Sequence, residues 1–149
     1  MEPPPGDPIG DAVDVLGDRW TLLVLRDIVF ADRRYFRALL TGSSEGIASN
    51  ILADRLVGLV EAGILTRGTA ARGQRARYSL TEAGIRTVPI LNAFGDWGLD
   101  WRPDVAATPG RRHVPRDAGR EHAEELMDDL RSRHLGTPPR GDEGAVDPD

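Results

Sequence analysis

The stretch ASNILADRLVGLVEAGILTRGTAARGQRARYSL, residues 48–80, changes its hydrophobic periodicity once. Its first half has leucines three and four residues apart, which predicts a helix over residues 48–62 with Gly63 as its stop. The inward positions of that helix are Leu52, Leu56 and Leu59. Two short strand-like runs, near 64–67 and 76–80, then flank the polar segment GTAARGQR. The stretch therefore predicts a helix followed directly by a β-hairpin.

The residues before this stretch predict three more helices. An Asp-Pro pair at residues 7–8 can start a helix that ends at Gly17. The apolar face of this helix consists of Ile9, Ala12, Val13 and Leu16. Asp18 can cap a second, largely apolar helix over 19–30, and a short third helix follows over 35–40. Helix, turn, helix and hairpin is the order of a winged helix-turn-helix, so we predict a mainly α fold with a small β-hairpin wing.

The residues after the hairpin predict one long helix and a separate C-terminal helix. Thr81 can cap a helix that begins at Glu82, and Pro89 predicts a kink inside it. Its apolar positions are Ile85, Val88, Leu91, Phe94, Trp97 and Trp101. We divide the chain into a flexible N-terminus, a winged-helix domain, a linker, an additional helix and a disordered tail, over residues 1–6, 7–101, 102–116, 117–136 and 137–149.

The additional helix is amphipathic. Asp117 can cap it and Gly136 can end it. Its apolar stripe consists of Ala123, Leu126, Met127 and Leu130, and its expected solvent face of Glu121, Glu125, Asp128 and Arg131. Because a lone helix of this length is marginal in water, we expect its stripe to dock on the dimerisation region of the protein.

The charge of the chain is distributed unevenly. Its formal net charge is −5, yet residues 19–86 carry eleven arginines against six acids. A basic middle between acidic ends suits a core that binds a polyanion, although a solvated charged surface gives the same pattern. The absence of cysteine excludes disulfides, thiolate metal ligands and thiol nucleophiles. The sequence shows no export signal and no membrane span, so we expect a cytoplasmic protein. The histidine spacing suits no metal site and no Gly-rich nucleotide loop is present, so we expect no metal and no cofactor.

Two sets of residues are candidates for contact with double-stranded DNA. In a helix-turn-helix the second helix enters the major groove, and here its outward face begins with Ser49, Asn50 and Ala53. Asn50 suits bidentate readout of adenine, and Ser49 with the helix N-terminus suits a phosphate. The alternative for Asn50 is a helix-start residue without a DNA partner.

The hairpin supplies the second set. Residues 66–81 contain Arg67, Arg72, Arg75 and Arg77 and no acid. Guanidinium groups at a hairpin tip can neutralise backbone phosphates or enter a narrow minor groove, whereas the alternative is a merely solvated loop. Arg33 and Arg34, at the start of the third helix, suit a further phosphate contact. For Arg55, near the core, a structural salt bridge is the preferred interpretation.

Three segments carry a family resemblance: DRWTLLVLRDIVF, GIASNILADRLVGLVEAGIL and RYSLTEAG resemble signature stretches of the HxlR-type winged helix-turn-helix regulators. The resemblance covers residues 7–98 and implies a homodimer that pairs through its terminal helices and binds a palindromic operator. It places Ser49, Asn50 and Ala53 on the recognition helix, and Arg72, Arg75 and Arg77 on the wing. Several thiol-sensing members carry a cysteine where this chain has Asp7, so a cysteine-based response is excluded.

The aromatic residues support two interpretations. A set of apolar side chains can form the dimer and domain core, or line a pocket for a small apolar or aromatic effector; it consists of Trp20, Leu91, Phe94, Trp97 and Trp101. The alternative function is a small-molecule-binding protein or an enzyme that uses this pocket at the dimer interface. Without a histidine in the winged-helix domain no hydrolase triad can be assembled, so we predict that the protein is not an enzyme.

Overall fold

The computed structural model describes residues 6–70, 74–102 and 119–136. The chain divides into two compact units, residues 1–78 and 79–149. The predicted flexible N-terminus, most of the linker, Asp117 and the predicted tail lie largely or wholly outside the described residues.

The first unit is helical and begins with four helices. They are α1 (Pro8–Leu16), α2 (Arg19–Ala31), α3 (Phe36–Thr41) and α4 (Ser49–Glu61). Asp7 is the N-cap residue of α1 and Pro8 its first residue, while the Asp18 carboxylate accepts a hydrogen bond from the Thr21 amide at the start of α2. The predicted starts of α1 and α2 are thereby confirmed.

The core of the first unit forms where α2, α3 and α4 pack against one another. Helix α4 turns its predicted inward leucines into this core, and α2 contributes its own apolar side chains to it. The buried members are Val24, Leu25, Ile28, Val29, Leu39, Leu52, Leu56 and Leu59. Gly63 has φ +77°, a left-handed conformation that glycine adopts without strain, and it stops the chain after α4 as predicted.

A two-stranded antiparallel sheet follows α4, as the change of periodicity predicts. Its strands are β1 (Leu65–Arg67) and β2 (Tyr78–Leu80), and we call residues 65–80 the wing. The Gly68 amide donates to the Arg77 carbonyl at 2.8 Å. Strand β1 packs against α4, so the wing stands beside the end of that helix. Within the described residues this arrangement confirms the predicted winged helix-turn-helix.

The second unit contains α5 (Glu82–Ile85), α6 (Val88–Trp101) and α7 (Gly119–Leu135). The Thr81 side chain caps α5 as predicted, but the prediction of one kinked helix from Glu82 onward is wrong. Proline lacks an amide proton and its ring collides with the carbonyl four residues earlier, so Pro89 is found in the first turn of a new helix. The hydroxyl of Thr87 donates to the Gly84 carbonyl at 2.6 Å in the break between α5 and α6.

Helix α7 confirms most of the predicted amphipathic pattern. Met127 and Leu130 are buried, and Gly136 ends the helix with φ +68°. Arg131 does not lie on the solvent face, contrary to prediction: its side chain is 13% exposed because it forms ion pairs with Glu82 and Asp128. In the described part of the chain no helix is both long and apolar enough to cross a membrane.

Candidate nucleic-acid interface

The outward face of α4 presents the residues expected to read DNA. Ser49, Asn50 and Ala53 are all exposed, and so are Asp54 and Val57 further along the helix. Ala48 occupies the N-cap position, and among the described residues no side chain caps the first amides of α4. The N-terminus of this helix therefore keeps the partial positive charge that favours an anion such as a phosphate.

An ion pair holds α4 against α2. The Arg55 guanidinium donates to both carboxylate oxygens of Asp18, Nε at 2.8 Å and Nη2 at 3.2 Å, and also contacts Asp54. The predicted structural role of Arg55 is thus confirmed. The hydrogen bond from Arg55 is the largest of the effects that lower the pKa of Asp18 to about 2. One carboxylate therefore caps α2 and fixes α4 at the same time.

A second ion pair holds the turn that leads into α4. Arg26 on α2 donates to both oxygens of Glu45, at 2.6 and 2.9 Å, and its Nε also donates to Asp27. The Arg26 hydrogen bond is the main cause that lowers the pKa of Glu45 to about 2, while burial raises the pKa of Asp27. In the same turn the Ile47 amide donates to the Ser43 hydroxyl. These contacts fix where α4 begins.

The wing carries exposed arginines beside this helix. Arg67, Arg75 and Arg77 are all exposed, whereas Arg72 lies outside the described residues. The Arg75 guanidinium lies 5.7 Å from the centre of the Tyr35 ring, within range of a cation–π contact. Sequence reasoning missed Tyr35, because nothing in the local pattern links it to an arginine forty residues later.

The two arginines before α3 differ in their surroundings. Arg34 departs from the predicted phosphate contact. It is 8% exposed and its Nε donates to the Tyr78 carbonyl at 3.0 Å, so its guanidinium stabilises the fold instead of facing a phosphate. Its own carbonyl accepts from the Tyr78 amide at 2.7 Å, which ties the start of β2 to this segment. Arg33 is about one-third exposed and lies near Asp27 and against Gly42, so part of its guanidinium is engaged within the unit.

Within the described residues, Phe94, Trp97 and Trp101 do not form the enclosed core that one interpretation of the sequence predicts. Leu91 is buried, but Phe94, Trp97 and Trp101 are 61, 60 and 70% exposed. They lie three and four residues apart, so they share one side of α6 with Ile90. We call Ile90, Phe94, Trp97 and Trp101 the aromatic stripe. Trp20 belongs to the first unit, where the Arg19 guanidinium lies 4.7 Å from its ring centre.

The clusters of charged side chains in the described residues serve to hold helices together. Among the residues that the structure describes, no group of three or more histidine, aspartate or glutamate side chains is arranged to hold a metal ion. The charged side chains described above instead form ion pairs that fix helices in place. The surface that remains exposed combines a polar helix face, a helix N-terminus and an arginine-bearing hairpin.

Comparison with known proteins agrees with this geometry. The family model of HxlR-like helix-turn-helix proteins matches residues 15–106. An uncharacterised HTH-type transcriptional regulator of Mycobacterium tuberculosis, Rv3095, is 33% identical over 105 residues, which are 70% of this chain and 65% of that protein. A regulator of the same description from Synechocystis, sll1512, is 35% identical over 95 residues, covering 63% of this chain and 69% of its own. The chain thus spans about two-thirds of the length of these relatives.

Solved structures show the same fold. The crystal structure of the transcription-factor candidate PA1607 superposes with a TM-score of 0.60 at 34% identity, covering 78% of this chain and 80% of that one. The redox regulator HypR in its reduced form superposes with a TM-score of 0.58 at 23% identity, over 68% of this chain and 100% of its own, and shows the fold alone. The chain belongs to the HxlR-like helix-turn-helix family of transcriptional regulators.

Proposed function

We propose that this chain binds a palindromic operator as a homodimer, with α4 in the major groove and the wing arginines on the backbone or in the minor groove. One observation carries the proposal: β1 packs against α4, so the arginine-bearing wing stands beside the helix whose exposed face holds Ser49, Asn50 and Ala53. A helix in the groove and a basic hairpin at its side contact bases and phosphates together.

The dimer is supported by the aromatic stripe. Monomeric proteins rarely leave a contiguous apolar surface of several large side chains in water, and α6 exposes four on one side. A second copy related by a two-fold axis would cover this surface with the same residues. It would also bring two recognition helices about one DNA turn, roughly 34 Å, apart, which is the spacing that a palindromic operator requires.

The same stripe supports an effector as a secondary role. Phe94, Trp97 and Trp101 offer flat apolar faces, and a small apolar or aromatic molecule at the dimer interface would contact them. Because the chain has no cysteine, any response to an effector proceeds without thiol chemistry. We assign the protein no catalytic role and place it in the cytoplasm, where its operator is found.

The first experiment tests the wing. Operators are selected from a random duplex library, and affinity is then measured against salt concentration for wild type and for Arg72→Ala/Arg75→Ala/Arg77→Ala. Removing three phosphate contacts should weaken binding to all sequences and flatten the slope of log affinity against log salt by about 2–3.

A matched control separates contact from net charge. Arg86, Arg102 and Arg133 are exposed arginines of the second unit, and replacing all three with alanine changes the charge equally. This control should keep the wild-type slope. A wild-type slope in the wing variant, or equal losses in both variants, would refute the wing assignment.

A further inference from the structure

Helix α7 lies beyond the family match, which ends at residue 106, so the family does not explain it. Within the second unit α7 packs against α5 and α6. Its side chains Met127 and Leu130 are 6 and 0% exposed. The helix is therefore docked by an apolar stripe, and its remaining contacts show what that docking does.

The first of these contacts reaches the end of β2. The Leu80 amide donates a hydrogen bond of 2.8 Å to Nδ1 of His134, in the last turn of α7. Residues two apart on a strand direct their amides to the same edge, so the Leu80 amide points to the edge where the Tyr78 amide meets the Arg34 carbonyl. The histidine thus satisfies a backbone donor on the edge of β2 that does not pair with β1.

The second contact lies two residues further along the chain, at Glu82. Arg131 donates to both oxygens of Glu82 at the first residue of α5, with Nε–Oε2 at 3.0 Å and Nη2–Oε1 at 2.8 Å. A third bond from Nη1 to Asp128 at 2.7 Å holds the guanidinium in place. The hydrogen bond from Arg131 is the main cause that lowers the pKa of Glu82 to about 2. Two side chains of α7, one helical turn apart, therefore hold the chain by hydrogen bonds at residues 80 and 82.

We propose that α7 anchors the strand that leads out of the wing, with His134 and Arg131 as positioning residues for DNA binding. The inference rests on the proposed function, because it matters only if the wing contacts DNA. Arg77 stands three residues before Leu80 on the same continuous segment. Fixing Leu80 restricts the path of that segment, so less conformational entropy is lost when the wing arginines settle on phosphates.

An anchor that acts only through the wing should leave the preferred bases of the operator unchanged. His134 and Arg131 belong to α7, whereas the exposed face assigned to base readout belongs to α4. Loosening the anchor should therefore reduce affinity for every duplex by a similar factor and leave the preferred operator unchanged. A loss of base preference points to a different role for α7.

Two substitutions at His134 isolate the hydrogen bond. His134→Leu keeps a branched side chain of moderate size and removes the acceptor, whereas His134→Asn places an oxygen, Oδ1, where Nδ1 now accepts. The control is Arg133→Gln on the same helix, because Arg133 is exposed and pairs with Asp129 within α7. All variants are made in the full-length chain, and melting temperature is recorded for each.

Two readouts are measured. Hydrogen exchange of the Leu80 amide reports the bond itself, and fluorescence anisotropy with the selected operator and with a scrambled duplex reports DNA binding. We expect His134→Leu to speed exchange at Leu80 and weaken binding to both duplexes by roughly three- to tenfold, the scale of one hydrogen bond. His134→Asn should restore both readouts toward wild type, and Arg133→Gln should change neither.

The outcomes separate the two proposals. If wild type binds the operator and His134→Leu binds equally well, the anchor is refuted while the proposed function stands. If wild type binds neither duplex, the proposed function fails and the anchor fails with it. Should His134→Leu be unfolded at the assay temperature, Arg131→Gln removes the other contact, and wild-type affinity in that variant overturns the inference.

Discussion

Helices α4 and α6 are nearly equal in length, 13 and 14 residues, but their outer surfaces are opposite in character. Both bury an apolar side, with Leu56 an example in α4 and Leu91 in α6. The outer side of α4 is largely small or polar, whereas the outer side of α6 carries the aromatic stripe. A polar face is stable in water and remains free to read a polar ligand; an apolar face of this size indicates a protein partner.

Removing the aromatic stripe should give the largest effect. Phe94→Ser/Trp97→Ser deletes the two central side chains of the stripe, and we expect the dimer dissociation constant to rise at least a hundredfold, about 3 kcal/mol or more. Sedimentation velocity at micromolar concentration measures this change directly.

Val57→Ser is the control for this comparison, because Val57 is an apolar side chain of similar exposure on the outer face of α4. It should leave the sedimentation coefficient unchanged. A double variant that still sediments as the wild-type species would contradict the assignment of α6 as the dimer surface.

Substitution of Glu45 tests how firmly the start of α4 is held. The pKa of Glu45 falls from about 4.5 to about 2 on folding, so its stabilising effect is complete above pH 4.5 and is lost as the pH falls toward 2. Its side chain is 13% exposed, and we expect Glu45→Gln to lower the free energy of unfolding at pH 7 by about 2–3 kcal/mol. Urea unfolding from pH 7 to pH 3 measures the difference, which should shrink at the acidic end.

The matched control for Glu45 is Glu61→Gln, at the exposed last residue of α4. We expect it to cost less than about 0.5 kcal/mol at pH 7, as is usual for surface positions. A Glu45 variant as stable as this control would show that the ion pair with Arg26 does not hold the turn.

Substitution of Asn50 should give the smallest change in free energy and the most specific one. Asn50→Ala removes a side chain suited to bidentate contact with adenine, and we expect discrimination at one base pair per half-site to fall by about 1–2 kcal/mol. Repeating the selection from random duplexes measures it. An unchanged preferred sequence would return Asn50 to the alternative interpretation, a helix-start residue without a DNA partner.

The sequence predicted the parts of the fold that depend on short-range patterns. Leucine spacing located α4, Asp18 marked the start of α2, and Gly63 marked the end of α4, because periodicity and capping act within a few residues. The break at Pro89 was misjudged as a kink. A kinked helix and a new helix leave a similar sequence pattern around a proline, so the pattern alone does not distinguish them.

Contacts between distant residues were not predictable. The position of Arg34 in the sequence suits a phosphate contact, but its guanidinium donates to a carbonyl forty-four residues away. The sequence pattern assigns no role to His134, yet its bond to the Leu80 amide spans fifty-four residues. An arginine or histidine looks the same in sequence whether it faces solvent or the backbone of a remote strand, so only the folded chain distinguishes the two.

The Asp18–Arg55 ion pair also sets the rotational angle of α4 about its own axis. Arg55 lies between the inward leucines and the outward face of α4, so its bond to Asp18 resists rotation of the helix about its own axis. A side-chain atom about 6 Å from that axis moves about 2 Å when the helix turns by about 20°. That displacement exceeds the tolerance of a bidentate hydrogen bond. On the proposed function, this ion pair sets the angle at which the exposed face of α4 meets the bases, and we expect substitutions at Asp18 to alter operator preference with every exposed side chain of α4 intact.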